Sequence, residues 1–318
     1  MGMFTIVPVW VAQDVTVIIL AVVTILFIIR KEAHPGQIFL EFVCFVFLNA
    51  AVFENFAVLQ GWYGYGRSVL MLFQVPLSVP ILEYLVVYSS LRIMSAMDIR
   101  TWCKPFLVGV FGMLADLSLD PLAVRQVFAA QEQTTGRWTW YFEKGAVNLF
   151  AVPVYNFSGW VLLCGYAAAF LLLGRWWYRK TGYNRAVGYL YPALSMLAAL
   201  GILVTPLSNF LLWLEPFMKK GSMSEWYLMV FYLVFAGVLL LVFWKGRMLR
   251  KLTVKDDLPV YLVFTVSHAS NILFACIGGY YEIIPLQILA AVLQLLLILF
   301  IVLRSRQLKK RLRPAAGQ

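Results

Sequence analysis

Membrane-length apolar stretches recur along this chain, and they leave it very little choice of fold. They fall near residues 15–29, 37–59, 77–96, 104–118, 156–176, 187–214, 225–247, 259–280 and 284–303. A helix crossing ~30 Å of hydrocarbon needs roughly 20 residues. Lipid offers no partner for a bare N–H or C=O, so each stretch must satisfy its own backbone as a helix. Barrel strands would alternate polar and apolar residues, whereas these runs are apolar on every side. With 62% of residues hydrophobic and 13% charged, a soluble domain is excluded. The expectation is an all-α, polytopic membrane bundle of about nine transmembrane helices. No linker, charge block or low-complexity segment divides residues 1–318, so they read as one domain.

The formal net charge of +11 invites a nucleic-acid partner, but its placement reads differently. Under nine spans, one side of the membrane holds Arg67, Arg125, Arg137, Lys144, Lys219 and Lys220, and the other side takes the remaining twenty of the 26 basic residues. That asymmetry predicts the N-terminus outside, the C-terminus inside, and basic loops resting on anionic lipid headgroups. No nucleic-acid partner is expected. The first thirty residues lack a basic leader and a small-residue cleavage site, so they read as a retained span. Cys44, Cys103, Cys164 and Cys276 show no metal-ligand spacing and read as small buried hydrophobes.

Acids inside such runs are costly, ~2.5–3.5 kcal/mol at a span centre, and they usually face a partner or a cavity. Glu54, Glu83 and Asp116 come from three consecutive spans and fall in one layer toward the outer face. Glu41 falls toward the inner side. Asp120 stands one helical turn beyond Asp116, and Asp120-Pro121 reads as an N-cap followed by a first-turn proline. On that reading residues 122–130 form an amphipathic interfacial helix. Buried carboxylates in a cluster cannot all ionise, and one that keeps its proton is a general acid. Asn156 and Trp160 open the next span.

Aromatic residues gather at the same level. Trp62, Tyr63 and Tyr65 lie in Gly61-Trp-Tyr-Gly-Tyr-Gly66, and Trp138 and Trp140 lie in Arg137-Trp-Thr-Trp-Tyr-Phe142. They suit either an interfacial aromatic belt or a desolvated wall that stabilises a cation. His268 and Asn271 share a face of the eighth span, as packing groups or as a proton relay. No HExxH pair, Gly-rich phosphate loop or nucleophile elbow occurs, so neither a metal nor a cofactor is expected. One internal echo, Pro153-x-x-Asn156-Phe157-x-x-Trp160 with Pro206-x-x-Asn209-Phe210-x-x-Trp213, matches coincidence as well as duplication.

Taken in order, these residues resemble the membrane carotenoid hydratase family, which includes bisanhydrobacterioruberin hydratase and carotenoid 1,2-hydratases. The resemblance rests on Glu54, Gly61, Tyr63, Gly64 and Tyr65, then Val75-Pro76 with Val79-Pro80, and Asp116 with Asp120-Pro121. It closes with Trp138-x-Trp140 and Pro153-x-x-Asn156-Phe157-x-Gly159-Trp160, and covers about residues 50–160. Two positions depart from the pattern: Ala151, where a glycine is expected, and Glu83, where an apolar or aromatic residue is expected. The resemblance implies addition of water to the terminal double bond of an acyclic carotenoid held in the bilayer of a prokaryotic cytoplasmic membrane. Asp116 or Glu54 would supply the proton, Trp138, Trp140 or Trp160 would shelter the tertiary cation, and a carboxylate or Asn156 would orient water. Three other readings compete. Carotenoid cyclisation shares the first step, a proton-coupled transporter would use the acids with His268 as a relay, and a scaffold would need only the aromatic belts.

Overall fold

The computed structural model describes residues 8–130, 133–205, 221–244 and 246–306. The protein is 73% helical. Helix α1 is Val11–Lys31, and the second apolar run forms α2 (Pro35–Cys44), a π-helical turn (Phe45–Ala50) and α3 (Ala51–Leu59). Helices α4 (Ser78–Ser95), α5 (Cys103–Ala123), α6 (Val154–Lys180) and α7 (Arg185–Leu203) follow. The last three are α8 (Ser224–Leu239), α9 (Val254–Gly278) and α10 (Ile284–Arg306). Among the described residues, eight helical segments are long and apolar enough to cross a membrane. Their outer faces carry bare aliphatic side chains such as Ile19, Leu241 and Leu296. Water would penalise such a surface and a bilayer would not. The chain is an integral membrane protein.

Helix α4 differs from those eight. It carries Glu83, Ser89, Ser90 and Arg92, and it is buried around nearly its whole circumference. It packs with α5 at the centre of the bundle, where α1, α6, α9 and α10 surround the pair. Small residues set the closest approach. A side chain at Gly109 would stand 2.4 Å from the Val161 carbonyl, and one at Gly112 would stand 2.6 Å from Cys164 Sγ. Helices α5 and α6 therefore meet backbone to backbone, as small-residue stripes allow in lipid.

The two ends of the bundle are built differently. At one end ion pairs tie helix ends together: Arg92 to Glu32 and Asp257, Arg250 to Asp257, and Lys31 to Asp256. A turn deeper, Arg175 bonds Glu41 at 2.5 and 2.8 Å, and the Tyr191 hydroxyl donates to the same carboxylate at 2.8 Å. At the other end the chain leaves helical structure. Antiparallel ladders pair β1 (Tyr63–Tyr65) with β6 (Trp138–Trp140), β2 (Met71–Leu72) with β3 (Val75–Pro76), β4 (Val127–Ala130) with β5 (Gln133–Gly136), and β7 (Asn148–Leu149) with β8 (Val152–Pro153). Arg137, between β5 and β6, bonds Asp14 of α1 at 3.2 Å and the side-chain amide oxygens of Gln13 and Gln126, which fastens this cap to the bundle.

These strands correct the expectation of an entirely helical chain. They also overturn the interfacial helix over 122–130. Asp120 caps nothing: α5 continues through Pro121 to Ala123, and Val127–Ala130 is a strand. Pro121 removes one N–H in the last turn, where the buried Leu119, Leu122 and Ala123 hold the helix by packing. Residues 137–142 form a pairing strand and its exit rather than a belt of rings. Of the cysteines, Cys44, Cys103 and Cys164 are buried and Cys276 is exposed. The Pro206–Trp213 half of the internal echo lies outside the described residues. Another repetition is visible: a two-residue hairpin, Val-Pro and then a helix occurs at β2–β3–α4 and again at β7–β8–α6.

Candidate functional site: a carboxylate cavity under an aromatic lid

Four helices and one ladder bring their polar groups together at the strand-capped end. Glu54 comes from the first turn of α3, Glu83 from the second turn of α4, Asp116 and Asp120 from the last turns of α5, and Asn156 and Trp160 from the start of α6. All four carboxylates are buried, the most open being Glu54 at 6% exposure.

The β1–β6 ladder forms the lid. Its register sets Tyr63 opposite Trp140 and Tyr65 opposite Trp138. Side chains alternate along a strand, so all four rings share one face and Gly64 and Thr139 take the other. Tyr63 and Tyr65 both donate their hydroxyls to Glu54 Oε2, the first at 2.8 Å. Burial, and after it the Glu54 charge, pushes both phenols well above the ordinary tyrosine range, so they remain donors. The Trp140 indole lies beside Asp120. Across the cavity the Asn156 amide donates to Asp116 Oδ2 at 2.7 Å and to Asp120 Oδ2 at 2.6 Å. One amide thus bridges the two aspartates and leaves Oδ1 of each without a hydrogen-bond partner.

Two small cavities result, each of about 30 Å³. The first is lined by Glu54, Glu83 and Asp120, by Asn156, and by the rings of Tyr63, Tyr65, Trp138, Trp140 and Trp160. Glu83 Oε2 and the Trp138 indole nitrogen, like Asp120 Oδ1, are buried there without a partner. The second is lined by Asp116, Arg137, His268, Asn271 and again Trp160. Glu54 and Asp116 therefore border adjacent cavities rather than one, with Trp160 as the shared wall.

Two residues named from the sequence stand apart. Trp62 is 39% exposed, lies outside both cavities and packs its ring on Phe53 and Phe56. The reason is pleat: Trp62 precedes β1 and faces away from Tyr63. His268 is buried against Gln294 at 2.8 Å and borders only the second cavity. Sequence reading missed Gln13 and Asp14, which hold Arg137, and the serines on Asp14: Ser68 at 2.5 Å and Ser78 at 2.8 Å. An acid in the first turns of an apolar helix was the available signal. Among the described residues, no group of three or more His, Cys, Asp or Glu side chains is arranged to hold a metal ion.

No family model matches this chain, and neither a curated protein nor a solved structure matches it.

Proposed function

We propose that this protein is a membrane carotenoid hydratase, adding water to the terminal double bond of an acyclic carotenoid end group. One observation carries the reading. Glu83 Oε2, Asp120 Oδ1 and the Trp138 N–H end without partners on a cavity of about 30 Å³, walled by five aromatic rings. A water needs ~10–15 Å³ of such space and two to four polar partners, so about two waters fit. Hydration of a trisubstituted alkene asks for an acid, a sheltered cation and a placed water, and the arrangement offers a group for each.

In the mechanism, a proton shared within the Asp116–Asp120 pair passes to the less substituted alkene carbon. The alkene's electron pair forms the new C–H bond and leaves a tertiary cation. The faces of Trp138, Trp140 and Trp160 shelter that charge by cation–π attraction. Water held at Glu83 and Trp138 attacks the cation, and its surplus proton returns through Glu54 to the aspartates. The balance is one water gained per end group, with no redox change. Glu54, held by two hydroxyl donors, suits the carboxylate that accepts the proton. A cyclase would need a dry pocket here, and partnerless polar atoms on its lining residues favour the wet reaction.

Counting α4 with the eight apolar segments gives nine crossings. With the basic residues inside, the carboxylates then lie near the outer face of a prokaryotic cytoplasmic membrane, and the basic loops meet anionic headgroups. A second reading, a proton-coupled transporter, is favoured by the second cavity, which runs from Asp116 to His268 inside the bundle.

Expression in lycopene-making cells, with pigment mass read by chromatography, tests the proposal. A gain of one water per end group is expected. Unchanged lycopene and unchanged longer acyclic carotenoids, despite full membrane insertion, would overturn it. Proton uptake by protein-loaded vesicles without pigment conversion would select the transporter.

A further inference from the structure

A third cavity, of about 1540 Å³, is far larger than the two at the carboxylates. Ligand sites usually occupy ~300–1,000 Å³, so this one suits a long guest. Its principal wall is a single face of α6, running from Val161 through Gly165, Ala169, Leu172 and Trp176 to Arg179. Those steps of three and four residues keep one side of a helix turned to the cavity. Eighteen steps of ~1.5 Å each make the wall about 27 Å long, close to the ~30 Å of bilayer hydrocarbon. Its upper end, Val161, directly follows Trp160, the ring that walls both carboxylate cavities. The facing wall is Phe231, Tyr232 and Phe235 of α8, and the segment carrying α8 is only 22% buried.

We infer that this groove binds the extended polyene chain of a neutral isoprenoid, laid along α6 so that its end group arrives at Trp160. The inference rests on the hydratase reading, because it supplies the remainder of that substrate. Three features select a neutral unsaturated chain over a phospholipid. Ring faces suit conjugated double bonds. Gly165 and Ala169 leave the middle of the wall shallow; a side chain at Gly165 would touch only the Pro105 backbone, at 3.4 Å. At the far rim Asp98 stands against Lys104, Arg175 is already held by Glu41, and Arg179 adds a single further positive charge. That leaves little surplus charge for a phosphate.

Retention of lycopene by the purified full chain, read as polyene absorbance per protein, tests the groove separately from the chemistry. Ala169→Trp should lower retention at least tenfold. Ala169→Leu, a milder change, should lower it partly while the protein elutes as wild type does. Asp120→Asn should retain lycopene fully and convert none. Wild-type retention in both groove variants, or phospholipid carried in place of lycopene by the wild type, would overturn the inference. Retention lost on filling the groove, with no hydrated pigment from the wild type, would uphold the groove and sink the hydratase reading alone.

Discussion

Asp116 and Asp120 stand one helical turn apart, yet they border different cavities, and a single amide joins them. Asn156 orders the pair by bonding Oδ2 of each, and Asp120 alone reaches the cavity under the rings. Asp120→Asn should therefore abolish carotenoid conversion, by 100-fold or more, while membrane expression stays unchanged; retained conversion would remove Asp120 from the chemistry. Glu54 depends on its two tyrosines. Losing one hydrogen bond to a charged group costs about 1.5–3 kcal/mol. If that bond is strongest at the transition state, Tyr63→Phe and Tyr65→Phe should each slow conversion about 10- to 100-fold, measured as initial rate in membranes. Sequence made the tyrosines visible as rings, but their hydroxyls' common target, nine and eleven residues away, depended on the return of β1 over α3.

At the scale of elements, the hairpins decide how helices enter the site. Leu149 pairs with Val152, so Phe150 and Ala151 form a two-residue turn, and both have positive φ, 54° and 67°. Such turns match the twist of the flanking strands, and an L-residue other than Asn or Asp is strained there. The glycine expected at position 151 thus has a backbone reason, and this chain forgoes it. Ala151→Gly should stabilise the protein by about 1 kcal/mol, read as a higher thermal midpoint in detergent, with conversion preserved. A lower midpoint would show that the methyl group contributes packing that the left-handed backbone does not outweigh. Asp120-Pro121 teaches the opposite lesson. As a local signal it marks a helix start, and packing of α5 overrode it, because a proline in a last turn forfeits only one hydrogen bond.

Across the whole molecule, polar groups gather at two ends: a network of ion pairs between helix ends at one, and at the other a carboxylate cavity closed by strands that the Arg137–Asp14 pair fastens down. The lid gives the protein an alkaline limit. Tyr63 and Tyr65 hold their protons in the folded state far above the usual range, whereas in the unfolded chain they lose them near pH 10. Unfolding then releases protons, so stability is full below about pH 10 and declines as pH rises further. Unfolding midpoints at about pH 9 and about pH 11 should show the drop, and the double variant Tyr63→Phe, Tyr65→Phe should make it shallower. An equal slope in that variant would place the alkaline sensitivity elsewhere.

The sequence by itself determined the apolar, membrane-length helices, eight of them among the described residues, and singled out Glu54, Glu83 and Asp116 as acids on neighbouring helices. It could do so because lipid forces backbone pairing within each apolar run, which makes helix formation a local matter. Tertiary structure alone decided the ladders, the burial of Asp120, the Arg137–Asp14 tie and the exclusion of Trp62. Strand pairing between residues 63–65 and 138–140 spans more than seventy positions, and no local pattern encodes such a partner. Those long-range contacts turned four acids at one depth into two small cavities with a shared aromatic wall.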